Sequence, residues 1–226
     1  MEKTPTGSNV FDKLLNGGYE LETLTTVYGP SGSGKSNLCH VSAVNTILNE
    51  NKKVIYVDTE GGFSLERLKQ ITPRYDEILE KIVILKPTNF EEQKKAFLKL
   101  NKLLTNEDVG LIIVDTISML YRLELGKTEE TYSINRELGI QIALITEICR
   151  KKKIPILVTT QVYANFEEQN QVKIVGGDIL KYASKCLVEL KVLKHGRMAI
   201  LRKHRSIKEG REALFKIEDS GLIEII

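Results

Sequence analysis

The amino-acid sequence predicts an α/β fold, a mostly parallel, twisted sheet flanked by helices and extended by a C-terminal antiparallel hairpin. Three observations predict it. Short β-rich apolar runs alternate with longer segments of helical periodicity, which is how parallel strands joined by crossover helices read in sequence. The apolar runs are continuous, as strands buried on both faces require. After residue 186 the pattern changes to alternation on either side of a short turn.

The expected strands, in order, are LTTVYG (24–29), VIYVD (54–58), IVIL (82–85), LIIVD (111–115) and IPILVTT (154–160). The first leads into the helical segment KSNLCHVSAVNTIL. The segment NFEEQKKAFLKLNKLL opens with Asn89 as a helix cap and Glu92 in the capping-box position, and Phe97, Leu100 and Leu104 then recur at helical spacing. Residues 131–153 form a second such helix, with Leu138, Ile142, Ile145 and Ile148 on one stripe. The cations of RKKK at its end complement the helix dipole. CLVELKVLKHGRMAILRKHR then reads as the hairpin, turning at His195, Gly196 and Arg197.

A chain of 226 residues buries a full core, and we expect one domain spanning 1–226. With 42% hydrophobic and 28% charged residues, disorder is excluded, and no apolar run approaches the ~18 residues of a membrane helix. The start MEKTPTGSNVF lacks the apolar core of a signal peptide, so a cytoplasmic location is expected, at the nucleoid when DNA is bound. Cys39, Cys149 and Cys186 are far apart and lack metal-ligand spacing, so they read as reduced thiols. Charge is uneven: residues 181–211 carry ten basic and two acidic side chains, a net +8 that leaves −5 for the rest of a chain whose total is +3. Such a segment attracts a polyanion or forms a solvated face balanced by nearby acids.

GPSGSGKS (Gly29, Pro30, Ser31, Gly32, Ser33, Gly34, Lys35, Ser36) is a G-x-x-x-x-G-K-[ST] phosphate loop between a strand and a helix. Its glycines let backbone amides point at phosphates, and the helix dipole adds to the field. Lys35 is expected to reach the β and γ phosphates, and Ser36 to coordinate Mg²⁺; Asn37 follows in the same nucleotide-binding stretch. Asp115 at the end of LIIVD is the expected second Mg²⁺ residue. In YVDTEGGF, Glu60 follows a strand's carboxyl edge, where a carboxylate can orient an attacking water, while Gly61 and Gly62 let the chain turn. Asp58 reads as a residue solvating the strand end or capping the helix that begins near Ser64.

A water-orienting carboxylate on the strand neighbouring Asp115 is similar to RecA-type ATPases. The phosphate loop, YVDTEGGFSLERL, LIIVDTISMLYR, ILVTTQV and VGGDIL occur in the order of the archaeal RadA and RecA recombinase core, over about residues 4–226. TPTGSNVFDKLLNGG resembles the start of that core, and KHRSIKEG resembles the short archaeal RadB branch of the family. The resemblance implies a RecA-type fold with ATP and Mg²⁺ as cofactors. It makes Glu60, Lys35 and Gln161 catalytic, with Gln161 sensing the γ-phosphate, and puts Arg67 against adenine.

Two loops meet DNA in that family. The first implies Arg122 as a contact; the second, VYANFEEQNQVKIVGG, carries Lys173 but also Glu167 and Glu168, which oppose strong binding. DNA contact is therefore also expected from the basic segment, at Arg202. Lys203 and Arg205 form a Lys-x-Arg pair that related helicases and clock ATPases use as a finger on a neighbouring subunit, so a homo-oligomer is expected. We expect a core without the amino-terminal helix-hairpin-helix domain of RadA. The implied role is an accessory one, assisting a RadA-type recombinase or other recombination proteins on single-stranded DNA, with weak or conditional hydrolysis. The alternatives are a clock-type or signalling ATPase acting on protein partners, a small-molecule kinase and a nonhydrolysing ATP switch.

Overall fold

The structure is a computed structural model describing residues 2–127, 131–164 and 172–225. Leu24–Tyr28 is the fifth strand of a nine-stranded sheet. From one edge the order is Gly221–Glu224, Glu212–Glu218, Gly196–His204, Cys186–Leu193, Leu24–Tyr28, Ile156–Thr160, Val109–Asp115, Lys53–Asp58 and Ile82–Leu85. The last six are parallel. The first four form an antiparallel meander.

The continuous apolar runs are explained by burial on both faces. Val54, Tyr56, Leu111 and Ile113 pack against Leu38 and Ile47 of the helix Lys35–Leu48. Their neighbours Ile55, Val57, Ile112 and Val114 pack on the other face, with Phe97 and Leu100 of Phe90–Asn106 and with Leu138, Ile142, Ile145 and Ile148 of Thr131–Lys152. Each apolar stripe found by periodicity is therefore a sheet-facing stripe. The Asn89 side chain accepts from the Glu92 amide at 2.9 Å, as expected. The reciprocal arm differs, because the Glu92 carboxylate accepts from the amide and hydroxyl of Thr88.

The hairpin after residue 186 is half of the meander. Leu193 pairs with Gly196, so Lys194 and His195 make the turn, and Arg197 belongs to the returning strand opposite Val192. Glu212–Glu218 and Gly221–Glu224 escaped the sequence reading because few of their residues are buried, one in the first and two in the second. Phe215, fully buried, and Leu222 are their anchors in the core.

The three cysteines are buried and unpaired, and burial pushes the Cys149 and Cys186 thiols up to about 12. Among the described residues, no helix is long and apolar enough to cross a membrane.

Candidate nucleotide site

The phosphate loop leaves the central strand at Gly29 and enters Lys35–Leu48 at Gly34. Both glycines are dictated by close packing. A Cβ on Gly29 would lie 2.5 Å from the Leu190 carbonyl oxygen. Gly34 has φ +105°, and a Cβ there would press on Ile217 at 3.3 Å. The meander thus forms one wall of the loop.

Lys35 is buried, and its ammonium donates to the carbonyls of Gly29 at 2.9 Å and Pro30 at 2.8 Å. Burial lowers its pKa, while Asp115 and Glu60 pull it back up. None of the ion pairs among the described residues involves Lys35, so a buried cation faces the cleft with only carbonyls for partners. The Ser33 hydroxyl is buried without a hydrogen bond. The cleft, about 500 Å³, lies between Ser31, Gly32, Ser36 and Asn37 on one side and Glu60, Thr116, Gln161, Arg197 and Ile217 on the other. A buried ammonium, an orphaned hydroxyl and a glycine cradle at a helix start fit a polyphosphate.

Asp115 ends its strand with a buried carboxylate that accepts from the Tyr56 hydroxyl at 2.9 Å and from the Thr159 hydroxyl. These two donors fix its orientation. Among the described residues there is no cluster of three or more His, Cys, Asp or Glu side chains able to hold a metal. Ser36 and Asp115 would hold Mg²⁺ with help from phosphate and water, as this ion commonly binds.

Asp58 is buried and accepts from the amides of Gly62 at 3.0 Å and Phe63 at 3.2 Å, so it tethers the loop that carries Glu60. His40 braces the same loop. Its Nε2 accepts from the Ser64 amide at 3.1 Å, which leaves Nδ1 to donate to the Ser36 carbonyl at 2.6 Å. Burial lowers its pKa and keeps the imidazole neutral.

The Glu60 carboxylate accepts from the Thr116 hydroxyl at 3.0 Å and from Gln161 Nε2 at 2.8 Å. Gln161 Oε1 accepts from Arg122 Nη1 at 2.6 Å. The amide orientation is forced, because a carboxylate can only accept and a guanidinium can only donate. Gln161 is itself pinned, its amide to Ser118 Oγ at 3.3 Å and its carbonyl by Val175 N at 3.0 Å.

The other expected residues lie farther out. Arg67 donates to the carbonyls of Glu218 at 2.7 Å and Asp219 at 3.3 Å, tying Leu65–Ile71 to the meander's last turn. Arg202 pairs with Glu189 at 2.6 Å, and Arg205 pairs with the buried Glu20. Lys203 donates to the Lys181 carbonyl at 2.6 Å. From Arg197 to Lys203 the strand runs roughly 20 Å, so the Lys-x-Arg pair is remote from its own phosphate loop. Lys173 is exposed and pairs across strands with Tyr163. Glu167 and Glu168 lie outside the described residues.

Sequence reasoning missed His40, Tyr56, Thr116, Tyr163 and Arg197. Only two left a signal, Tyr163 as an aromatic residue two positions after Gln161 and Arg197 as one cation of the basic segment. The others are assembled by pairings distant in sequence.

Residues 2–225 match the Rad51 family. The chain is 40% identical to the DNA repair and recombination protein RadB of Methanobrevibacter smithii, over 98% of this chain and 95% of that one. It is 43% identical to that of Methanococcus maripaludis, over 96% and 98%. Identity to that of Methanocaldococcus jannaschii is 39%, over 95% and 98%. A crystal structure of the RadB recombinase superposes with a TM-score of 0.80 at 32% identity, covering 98% of this chain and 99% of that one. The RecA-type phosphate-loop core, the residue pattern and these likenesses agree: the chain belongs to the Rad51 family and, within it, to the RadB group of DNA repair and recombination proteins.

Proposed function

We propose that this chain is an ATP-switched, single-stranded-DNA-binding accessory of homologous recombination, modulating a RadA-type recombinase and hydrolysing ATP slowly or conditionally. The observation that carries it is the Glu60–Gln161–Arg122 relay, which joins the nucleotide cleft to a helix that carries an exposed arginine. Lys35 and the loop amides bind phosphates; Ser36 and Asp115 would hold Mg²⁺, which when bound would neutralise charge on the phosphates. Glu60 orients water and Gln161 reads the occupant's terminal phosphate.

In this arrangement Glu60 and Arg122 compete for nothing, since they use opposite ends of one amide. A terminal phosphate that draws the Gln161 nitrogen away from Glu60 also moves its oxygen, and with it Arg122. Arg122, Tyr163 and Lys173 make up the DNA face: two cations for phosphates and an exposed ring for base stacking. Conditional hydrolysis follows from the remote Lys203 and Arg205, which reach only a neighbouring copy's γ-phosphate and must first leave the Lys181 carbonyl and Glu20. The test is single-stranded DNA binding as a function of salt, with and without Mg-ATP, beside turnover of the same sample. A salt-dependent affinity that shifts with ATP supports the reading; no DNA binding in either state replaces it with an ATPase acting on protein partners.

A further inference from the structure

Most cations of the basic segment are spoken for within the chain. Lys181 pairs with Asp178, Lys191 and Arg202 with Glu189, and Arg205 with Glu20. Arg211 donates to Asn16 and to the Lys13 carbonyl, and Lys203 to the Lys181 carbonyl. Arg197 is different. It lines the nucleotide cleft, and its one hydrogen bond among the described residues is from Nε to the Gly32 carbonyl at 3.0 Å, inside the phosphate loop.

Strand register explains how it gets there. The two-residue turn Lys194–His195 sets Arg197 opposite Val192 on one side and opposite Phe215 on the other. Directly opposed residues share a face of a sheet. Phe215 lies beneath the loop, its ring 3.4 Å from the Cβ position of Gly34, so the Arg197 side chain emerges on the phosphate-loop side. With Nε held by Gly32, both terminal nitrogens of the guanidinium remain without a protein partner among the described residues. Among the described residues no carboxylate pairs with the group, so a half-buried cation lines the cleft together with Lys35, where an anion can meet both. A planar fork with two free donor nitrogens matches a phosphate better than a point charge does.

We propose that Arg197 binds the polyphosphate of a nucleoside triphosphate in cis, closing the phosphate loop from the side of the antiparallel meander. This rests on the nucleotide-binding reading above and deepens it. It divides the labour of the segment: Arg197 serves the chain's own nucleotide, while Lys203, near the far end of the same strand, and Arg205, just past it, would have to leave the Lys181 carbonyl and Glu20 to serve a neighbour's. Binding then needs no assembly, even where hydrolysis does.

The test is the equilibrium affinity of the full chain for a Mg-bound fluorescent ATP analogue, with pyrophosphate as a competitor that has phosphates and no base. Arg197→Ala, Arg197→Gln and Arg197→Lys are compared with the unaltered chain, after unfolding curves confirm that all are folded. Loss of the guanidinium weakens analogue and pyrophosphate alike by roughly tenfold or more in the Ala and Gln variants, the size of a hydrogen bond to a charged group. Lys restores part of it. Glutamine keeps a donor for Gly32 but no charge, so affinity in Arg197→Gln equal to the unaltered chain overturns the proposal and leaves Arg197 as a brace of the loop. An unaltered chain that binds no nucleotide instead defeats the nucleotide reading itself, and this inference with it.

Discussion

Glu60 and Gln161, 101 residues apart in sequence, meet at 2.8 Å, carboxylate to amide nitrogen, at the carboxyl edge of the sheet. The contact exists because both strands that deliver them flank Val109–Asp115, Lys53–Asp58 on one side and Ile156–Thr160 on the other. Thr116, just past the strand between them, donates to the same Glu60 oxygen. The base and the phosphate sensor that we propose are thus one hydrogen-bonded unit, with Arg122 at its outward end.

If Glu60 orients the attacking water, Glu60→Gln abolishes turnover without abolishing binding. Phosphate release should fall by about 10²- to 10⁴-fold, the usual worth of a general base, while nucleotide affinity changes little. Turnover that survives the substitution would place the base elsewhere.

Arg122→Ala should weaken single-stranded DNA binding regardless of sequence. One lost phosphate contact lowers the slope of log affinity against log salt by about one. An unchanged slope would remove Arg122 from the DNA face.

In the proposed reaction Asp58 should act only through the loop it tethers. Asp58→Ala strands the amides of Gly62 and Phe63, at a cost of about 1–3 kcal/mol to stability, and lowers turnover although Glu60 is intact. Asp58→Asn keeps an acceptor and should lose less of both. The pair of denaturant curves and rates checks this; a stable, fully active Asp58→Ala protein contradicts it.

Acid should act through Glu20. Burial raises its pKa, but the Arg205 hydrogen bond and the neighbouring charges outweigh it and hold the group below 4.5. A folded value below the unfolded one means that its stabilisation is complete above the unfolded value and is lost as pH falls through the folded one. Glu20→Gln should therefore destabilise the protein at about pH 7, by roughly 1–3 kcal/mol. The gap should narrow as the solution is taken below the ordinary carboxylate range. Urea unfolding across that range measures it, and a gap independent of pH would show that the ion pair is not its source.

The parallel strands, the two large sheet-facing stripes and the phosphate loop were legible because each is written in consecutive residues. Asp115 and Glu60 were legible by position, as carboxylates where strands end. The meander's outer half was not, because Glu212–Glu218 and Gly221–Glu224 anchor through so few core residues, Phe215 and Leu222 among them. Arg197 could be counted as basic but not placed, since a turn one residue earlier than expected decides which way it points. His40 looks in sequence like any residue of an apolar helix. Its role depends on the Ser64 amide reaching it across 24 residues.

The relay is tested most directly by comparing single-stranded DNA affinity with and without Mg-ATP in the unaltered chain and in Gln161→Ala. The account predicts an affinity that shifts with nucleotide in the first, and in the second intact nucleotide binding, retained DNA binding and no shift. The same nucleotide-dependent shift in Gln161→Ala would contradict it, because the signal would then reach DNA by a route that bypasses Gln161.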